Sequence, residues 1–145
     1  MLPEALLAVA VTRGVHVVGP APYLALGGEV GIASEDRAAE MGLAADGFWY
    51  VPGETALGAS LGGYIRLAPV AGDLGRRFYL ALRGGRAFAT GTPTYDALAV
   101  GAGLGYRHPV DPGHAYVEAG LTRSYLFKYD ETNFLLDVAR VGFTW

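Results

Sequence analysis

Few side chains in this chain of 145 residues could act together as nucleophile and base. The serines and histidines are Ser34, Ser60, Ser124, His16, His108 and His114. A serine nucleophile needs a histidine within hydrogen-bond reach and a third group that orients the histidine. No serine lies two positions from a histidine, and His108 and His114 flank a turn. We therefore predict that the protein is not an enzyme.

A metal site is equally weakly indicated. Asp111 could meet His108 and His114 around the same turn, but Pro109 and Pro112 stiffen the loop and nothing supplies a fourth ligand. Cysteine is absent, which excludes disulfides, thiolate metal sites and a cysteine nucleophile. A net charge of -3 gives no basic stripe of the kind that nucleic-acid-binding proteins carry. We expect no metal, no cofactor and no nucleic-acid partner.

The residues of the chain alternate in polarity with a period of two, most clearly in the last segment, 134–145. One parity is apolar: Ala139, Val141, Phe143 and Trp145. The other parity is small or charged: Val138, Arg140, Gly142 and Thr144. This alternation is typical of a strand with unlike faces. Because the apolar parity becomes aromatic toward the end, it indicates a face that meets lipid and ends at the membrane interface.

The same period predicts eight strands, at about 4–18, 23–33, 38–47, 55–68, 77–89, 95–107, 114–125 and 134–145. Hydrophobic residues make up 52% of the chain, yet no run approaches the ~20 apolar residues of a transmembrane helix. The 22 glycines are scattered through the apolar segments, which argues against helices. The sequence therefore predicts an all-β fold, with 1–145 as one domain: a closed, eight-stranded, antiparallel up-and-down transmembrane β-barrel. An even strand count places both termini at the periplasmic end of such a barrel.

The inward parity of the predicted strands combines charged residues and tyrosines with glycine and alanine. Its charged and tyrosine members include Glu29, Glu40, Glu118, Arg66, Arg83, Arg107, Arg140, Tyr64, Tyr79 and Tyr116. An eight-stranded barrel is just wide enough for side chains to fill its lumen. Opposite charges there should pair, because an unpaired buried ion costs several kcal/mol. We expect a lumen plugged by an Arg/Glu/Tyr network and not an open pore.

Charged residues of the outward parity fall toward the strand ends remote from the termini. They are Arg13, Arg86, Arg123 and Asp137. The three arginines could bind lipopolysaccharide phosphates, for which guanidinium is suited, or simply reach into water and headgroups. Aromatic residues would form two belts. The inner belt is Phe78, Tyr106, Phe143 and Trp145, and the outer belt is Phe48, Trp49, Tyr50, Phe88, Tyr95, Tyr125 and Phe127.

The alternation, the aromatic C-terminus, the Arg/Glu/Tyr/Gly lumen and short turns opposite longer loops together resemble the small eight-stranded outer-membrane barrels of the OmpA/OmpX group. The resemblance covers the whole chain and concerns its architecture. It implies residence in the bacterial outer membrane, with membrane lipid and lipopolysaccharide as partners. It also implies recognition of the terminal aromatic by the barrel-assembly machinery, with Trp145 where phenylalanine is more usual. We expect the export signal to have been removed ahead of Met1.

The function expected from these patterns is a structural or surface-interaction role as a monomeric barrel. Two alternatives remain open. A soluble lipocalin-like barrel that binds a small apolar ligand would invert the register. It would place Leu57, Leu61 and Ile65 inside the barrel and Tyr64 with Arg66 in water. The other alternative is a lipid-modifying outer-membrane enzyme, because the resembled group includes such enzymes.

Overall fold

The chain folds as a closed barrel of eight antiparallel strands in this computed structural model, which describes residues 3–16, 22–50, 56–90, 95–127 and 131–145. Each strand pairs with its neighbours in sequence, and β1 closes the barrel on β8. The strands are β1 (Glu4–His16), β2 (Pro22–Ala33), β3 (Ala39–Tyr50), β4 (Ala56–Leu67), β5 (Phe78–Thr90), β6 (Tyr95–Val110), β7 (Gly113–Leu126) and β8 (Glu131–Thr144). The predicted all-β, up-and-down barrel is confirmed.

The two ends of the barrel differ in what they carry. We call the end with both termini the turn end; its connections are 34–38, 68–77 and 111–112. The opposite end, where β1, β3, β5 and β7 finish, we call the loop end. The longest of the described connections, 68–77, lies at the turn end and includes the 3-10 turn Gly75–Arg77. The longer loops expected at the other end lie outside the described residues.

The barrel wall is apolar outside and polar inside. In β4, Leu61 is 62% exposed, whereas Tyr64 and Arg66 are 4% and 1% exposed. In β6, Val100 is 62% exposed and Arg107 is buried. Leu57 and Ile65 also face outward, so the inverted register of a soluble lipocalin-like barrel is wrong.

The outer surface carries large apolar side chains on all eight strands. Monomeric soluble proteins rarely expose contiguous apolar patches beyond a few hundred Å². Here the exposed residues include Leu7, Val30, Leu43, Leu61, Leu82, Leu104, Leu121 and Val141, one from each strand. Among the described residues, no helix has the length and apolar character needed to cross a membrane. The exposed apolar residues named above all lie on the strands.

Inward aromatic rings lie over glycines of the neighbouring strand. Tyr79 is paired in register with Gly105, and Tyr116 is paired with Gly142. A Cβ atom added to either glycine would overlap the tyrosine ring. Because a ring can lie flat only where its neighbour has no side chain, the glycines allow bulky tyrosines to pack within a narrow barrel.

A β-bulge in β8 changes the direction in which Asp137 points. Arg13 of β1 pairs with Ala139, but Gly14 pairs with Asp137, so Val138 is an extra residue. An extra residue reverses the parity on one side of the bulge. Asp137 consequently faces the lumen, where it accepts a hydrogen bond from the Tyr23 hydroxyl. The prediction that Asp137 belongs to the outward parity was wrong.

The strand β3 continues three residues beyond its predicted end. Phe48 pairs in register with Ala25 of β2 and Gly58 of β4, and its side chain is 8% exposed. It therefore continues the inward parity and packs with Ala25 and Ala87 inside the barrel. The assignment of Phe48 to the outer aromatic belt was wrong, whereas Trp49 faces outward.

Candidate functional site

The lumen is organised around Arg66, which lies near the turn end of β4 and is almost completely buried. Its Nε donates to Glu118 Oε1 at 2.6 Å, and its Nη2 donates to both carboxylate oxygens of Glu29 at 3.0 and 2.8 Å. Its Nη1 lies 3.5 Å from Glu40 Oε2. One guanidinium therefore links β4 to carboxylates on β2, β3 and β7.

Three further arginines complete the ion pairs. Arg83 Nη2 lies 2.9 Å from Glu29 and 2.8 Å from Glu118. Arg140 Nη2 lies 3.0 Å from Glu29, and its Nη1 donates to Asp46 and to the Thr12 hydroxyl, each at 2.9 Å. Arg107 Nη1 donates to Glu40. The structure brings together all seven charged residues that the sequence placed in the lumen.

The predicted tyrosines surround these charges. The guanidinium carbon of Arg66 lies 4.6 Å from the centre of the Tyr64 ring and 4.8 Å from that of Tyr116. The corresponding carbon of Arg107 lies 4.6 Å from the Tyr79 ring centre. A cation within about 6 Å of an aromatic face is attracted to it. The Tyr79 hydroxyl also donates to Glu118 at 2.9 Å, so the rings both fill space and stabilise the charges.

The charged residues of the network depend on one another for compensation of their charges. Removing one partner of a buried pair leaves an uncompensated charge and costs about 3–5 kcal/mol. Glu29 alone receives contacts from three arginines on three different strands: Arg66, Arg83 and Arg140. The arrangement can hold these strands together.

Sequence reasoning missed two members of this site. Asp46 and Thr12 were not predicted to join the network, and both accept hydrogen bonds from Arg140. Their roles depend on which strands face each other across the lumen. Alternation along a single strand carries no such signal.

The three outward arginines lie near the loop end and face away from the lumen. Arg13 and Arg123 are exposed. Arg86 is paired with Asp96 at 2.5 Å, and its guanidinium carbon lies 5.5 Å from the ring centres of Phe88 and Phe127. The structure does not gather the three into one site, since they stand on β5, β7 and β1.

The remaining aromatic residues lie near the barrel ends. At the turn end, the ring centres of Phe78 and Tyr106 are 5.1 Å apart, and those of Phe143 and Trp145 are 5.5 Å apart. At the loop end, Phe127 and Tyr125 meet edge to face at 5.5 Å. The side chains of Tyr50 and Tyr95 lie outside the described part of the structure.

The candidate catalytic and metal-binding residues show local roles. The Ser34 hydroxyl donates to Asp36 and accepts from the Ala39 N–H within a turn. His108 Nδ1 lies 3.2 Å from the Tyr106 hydroxyl. Within the described ranges, no group of three His, Asp or Glu residues could hold a metal ion.

Comparison with known proteins gives a likeness of fold. No protein-family model and no curated protein sequence matches the chain. Its structure is similar to the N-terminal β-barrel domain of Pseudomonas aeruginosa OprF, with a TM-score of 0.64 and 17% identity over 99% of this chain and 100% of that one. It is also similar to a de novo designed transmembrane β-barrel, with a TM-score of 0.60 and 13% identity over 100% and 98%. The Yersinia pestis outer membrane protein Ail, solved in a phospholipid bilayer nanodisc, gives 0.55 and 12% over 98% and 100%. The chain therefore has the fold of the small eight-stranded outer-membrane barrels.

Proposed function

We propose that the protein is an integral barrel of the bacterial outer membrane with a structural or surface-interaction role, and that its lumen is closed by the Arg66 network. The observation that carries the proposal is the polarity of the wall. Large apolar residues face outward on every strand, while four arginines and their carboxylates face inward. An apolar outer face and an ionic inner face are both energetically favourable only when hydrocarbon surrounds the barrel.

Membrane lipid is the partner that this surface favours. The aromatic pairs Phe78–Tyr106 and Phe143–Trp145 stand at the turn end, where interfacial rings would meet headgroups. The exposed Arg13, Arg86 and Arg123 stand toward the other end, where long cationic side chains would reach the headgroup layer. The proposal holds for a monomer, since closure of β1 on β8 leaves no strand edge that a second copy must cover.

The proposal is tested by fractionation followed by electrical recording. We expect the protein to need detergent for extraction and to show heat-modifiable gel mobility. Full solubility without detergent would contradict the membrane assignment. In planar bilayers we expect no steady conductance from the purified protein, because the ion pairs of Arg66 and Glu29 cross the lumen. Steady ohmic conductance would contradict the closed lumen while leaving the membrane assignment intact.

A second proposed role is binding of lipopolysaccharide phosphates by the three outward arginines. Exposure of Arg13 and Arg123 on the outer face favours it, whereas the ion pair of Arg86 with Asp96 already occupies that guanidinium. Replacing Arg13 and Arg123 by glutamine should therefore lower retention of lipopolysaccharide more than replacing Arg86 alone. The control is Arg77→Gln at the turn end. Retention that is unchanged in the double variant would exclude the role.

Assembly should depend on the C-terminal aromatic. Trp145 packs on Phe143, and its backbone N–H and C=O exchange hydrogen bonds with Leu7 of β1. We propose that the barrel-assembly machinery recognises this aromatic end. Trp145→Phe should insert as the parent does, and Trp145→Gly should insert less. Equal insertion of both variants in a reconstituted assembly reaction would contradict this role.

A further inference from the structure

The two halves of the lumen are filled differently. Toward the turn end, Tyr64, Tyr79 and Tyr116 pack around Arg66. Toward the loop end, a cavity of about 220 Å³ remains. Its wall is mostly glycine, alanine, serine and threonine, with Phe48 and Tyr23 among its lining residues. A water occupies about 30 Å³ in the liquid, so this volume suits several waters or one small organic molecule.

One carboxylate at this cavity has no ion-pair partner among the described residues. Four lumen arginines face five carboxylates, and four of these carboxylates, Glu29, Glu40, Asp46 and Glu118, form the ion pairs with them. The fifth, Asp137, forms no ion pair with any described residue. Arg37 also reaches Glu40, but from the turn end and far from Asp137.

The Asp137 carboxylate has hydrogen-bond acceptor positions that no described residue uses. It accepts one hydrogen bond from the Tyr23 hydroxyl and one from the Thr122 hydroxyl, the latter at 3.2 Å. An ionised carboxylate offers about four acceptor positions. Asp137 lines the cavity, so the unused positions are available to a molecule there.

A second group on the same wall lacks a partner. Arg140 lines the cavity and is 6% exposed, and its buried Nε–H has no acceptor within the described part of the chain. A buried donor without an acceptor costs about 1–3 kcal/mol. This Nε atom is covered by protein atoms, so a molecule that displaced them slightly and brought an oxygen acceptor to the donor would remove that cost.

We propose that the loop-end cavity binds a small amino alcohol. Its primary ammonium would donate to Asp137 and form the ion pair that this carboxylate lacks, while its oxygen would accept from Arg140 Nε. Small anions are disfavoured by Asp137 and Asp46, and a purely apolar molecule would leave both polar groups desolvated and unpaired. The site is independent of the role of the outer surface.

The test uses ethanolamine as the probe and the full chain in detergent micelles, with binding followed by isothermal titration and by NMR shifts. We expect saturable binding of ethanolamine and at least about tenfold weaker binding of ammonium chloride and of ethylene glycol, because each offers only half of the pairing. Asp137→Asn should weaken ethanolamine binding by about tenfold or more, since it removes the charge but keeps the shape. Asp73→Asn at the exposed turn end is the matched control and should leave binding unchanged.

A second variant keeps the proposal testable if Asp137→Asn does not fold. Ala44 lines the cavity and makes no ion pair with the network, so Ala44→Leu should fill the space and abolish ethanolamine binding while heat-modifiable mobility is retained. Binding that survives either Asp137→Asn or Ala44→Leu unchanged would overturn the proposal. So would absence of saturable binding to the parent protein.

Discussion

The turn-end and loop-end halves of the lumen share one backbone architecture but differ in how the space is used. In the turn-end half, Tyr79 lies over Gly105, and its hydroxyl bonds a carboxylate that Arg66 also holds. In the loop-end half, Ala44, Ser60 and Ala99 leave a cavity of about 220 Å³. The strand count fixes the width of a barrel, but the choice of inward residues decides whether a given level is solid or hollow.

The difference should appear first in the cost of removing the central cation. Arg66→Ala would leave Glu29, Glu40 and Glu118 without their shared partner. We expect a loss of about 3–5 kcal/mol in the free energy of unfolding, because buried carboxylates would remain uncompensated. Urea unfolding in detergent, followed by tryptophan fluorescence, measures it.

The matched control for this change is Arg77→Ala at the turn end. Arg77 contacts His108 at 3.4 Å on the surface, and its removal should change stability little. Equal losses in the two variants would mean that the buried network does not stabilise the barrel more than a surface contact does.

A second comparison sets an inward glycine against an outward one. Gly105→Ala would push a methyl group into the Tyr79 ring, and we expect a loss of about 1–3 kcal/mol from overpacking. Gly84 faces outward, and an added Cβ there would meet its nearest atom at 3.8 Å, so Gly84→Ala should be nearly neutral. Comparing the unfolding midpoints of the two variants with that of the parent measures the two losses of stability. A larger loss from Gly84→Ala would reverse the assignment of the faces.

The same overpacking change should have different results in the two halves. Ala8 packs beside Ala10 and Tyr116 in the turn-end half, so Ala8→Leu should lower the free energy of unfolding by about 1–3 kcal/mol. Ala44→Leu grows into the loop-end cavity and should cost less than about 1 kcal/mol. If both substitutions lower the free energy of unfolding by the same amount in urea, the loop-end half is as tightly filled as the turn-end half.

The sequence could predict the fold and the faces because a barrel strand alternates regularly. The outward set of Leu61 and the inward sets of Arg66 and Tyr79 were read from parity alone, and the barrel with its apolar exterior was confirmed. The extra residue Val138 could not be found in this way. A bulge is defined by the pairing of β8 with β1 and β7, which no single segment encodes.

The errors at the loop end have the same physical origin. Phe48 looked like the start of an aromatic loop, but pairing with Ala25 and Gly58 extends β3 through it. The identity of each ion pair was also beyond sequence reasoning, because it depends on which side chains meet across the lumen. Asp46 joined the network through Arg140, a residue 94 positions away along the chain.

The smallest expected effect is a pH dependence at the turn end. The Ala38 N–H and the Ser34 hydroxyl donate to Asp36, and together with Arg76 they hold the pKa of this carboxyl below its usual value. A carboxyl with a depressed pKa contributes stability above its unfolded pKa, and this contribution is lost as the pH falls through the folded pKa.

Thermal midpoints of the parent and of Asp36→Asn should therefore differ slightly at neutral pH and converge in acid. Comparing the two proteins at each pH removes the larger contribution of the lumen carboxylates, which both share. A gap that widens as the pH falls would contradict the hydrogen-bond pattern of this turn.

The central claim is that hydrocarbon surrounds the wall while ionic groups line the lumen, and spin-label accessibility tests it most directly. The chain has no cysteine, so single labels can be placed at Leu61, at Val100 and at the inward Ser60 in lipid vesicles. We predict strong collision with dissolved oxygen and weak collision with a water-soluble nickel complex at Leu61 and Val100, with lower oxygen accessibility at Ser60. Preferential nickel access at Leu61 and Val100 would contradict the account.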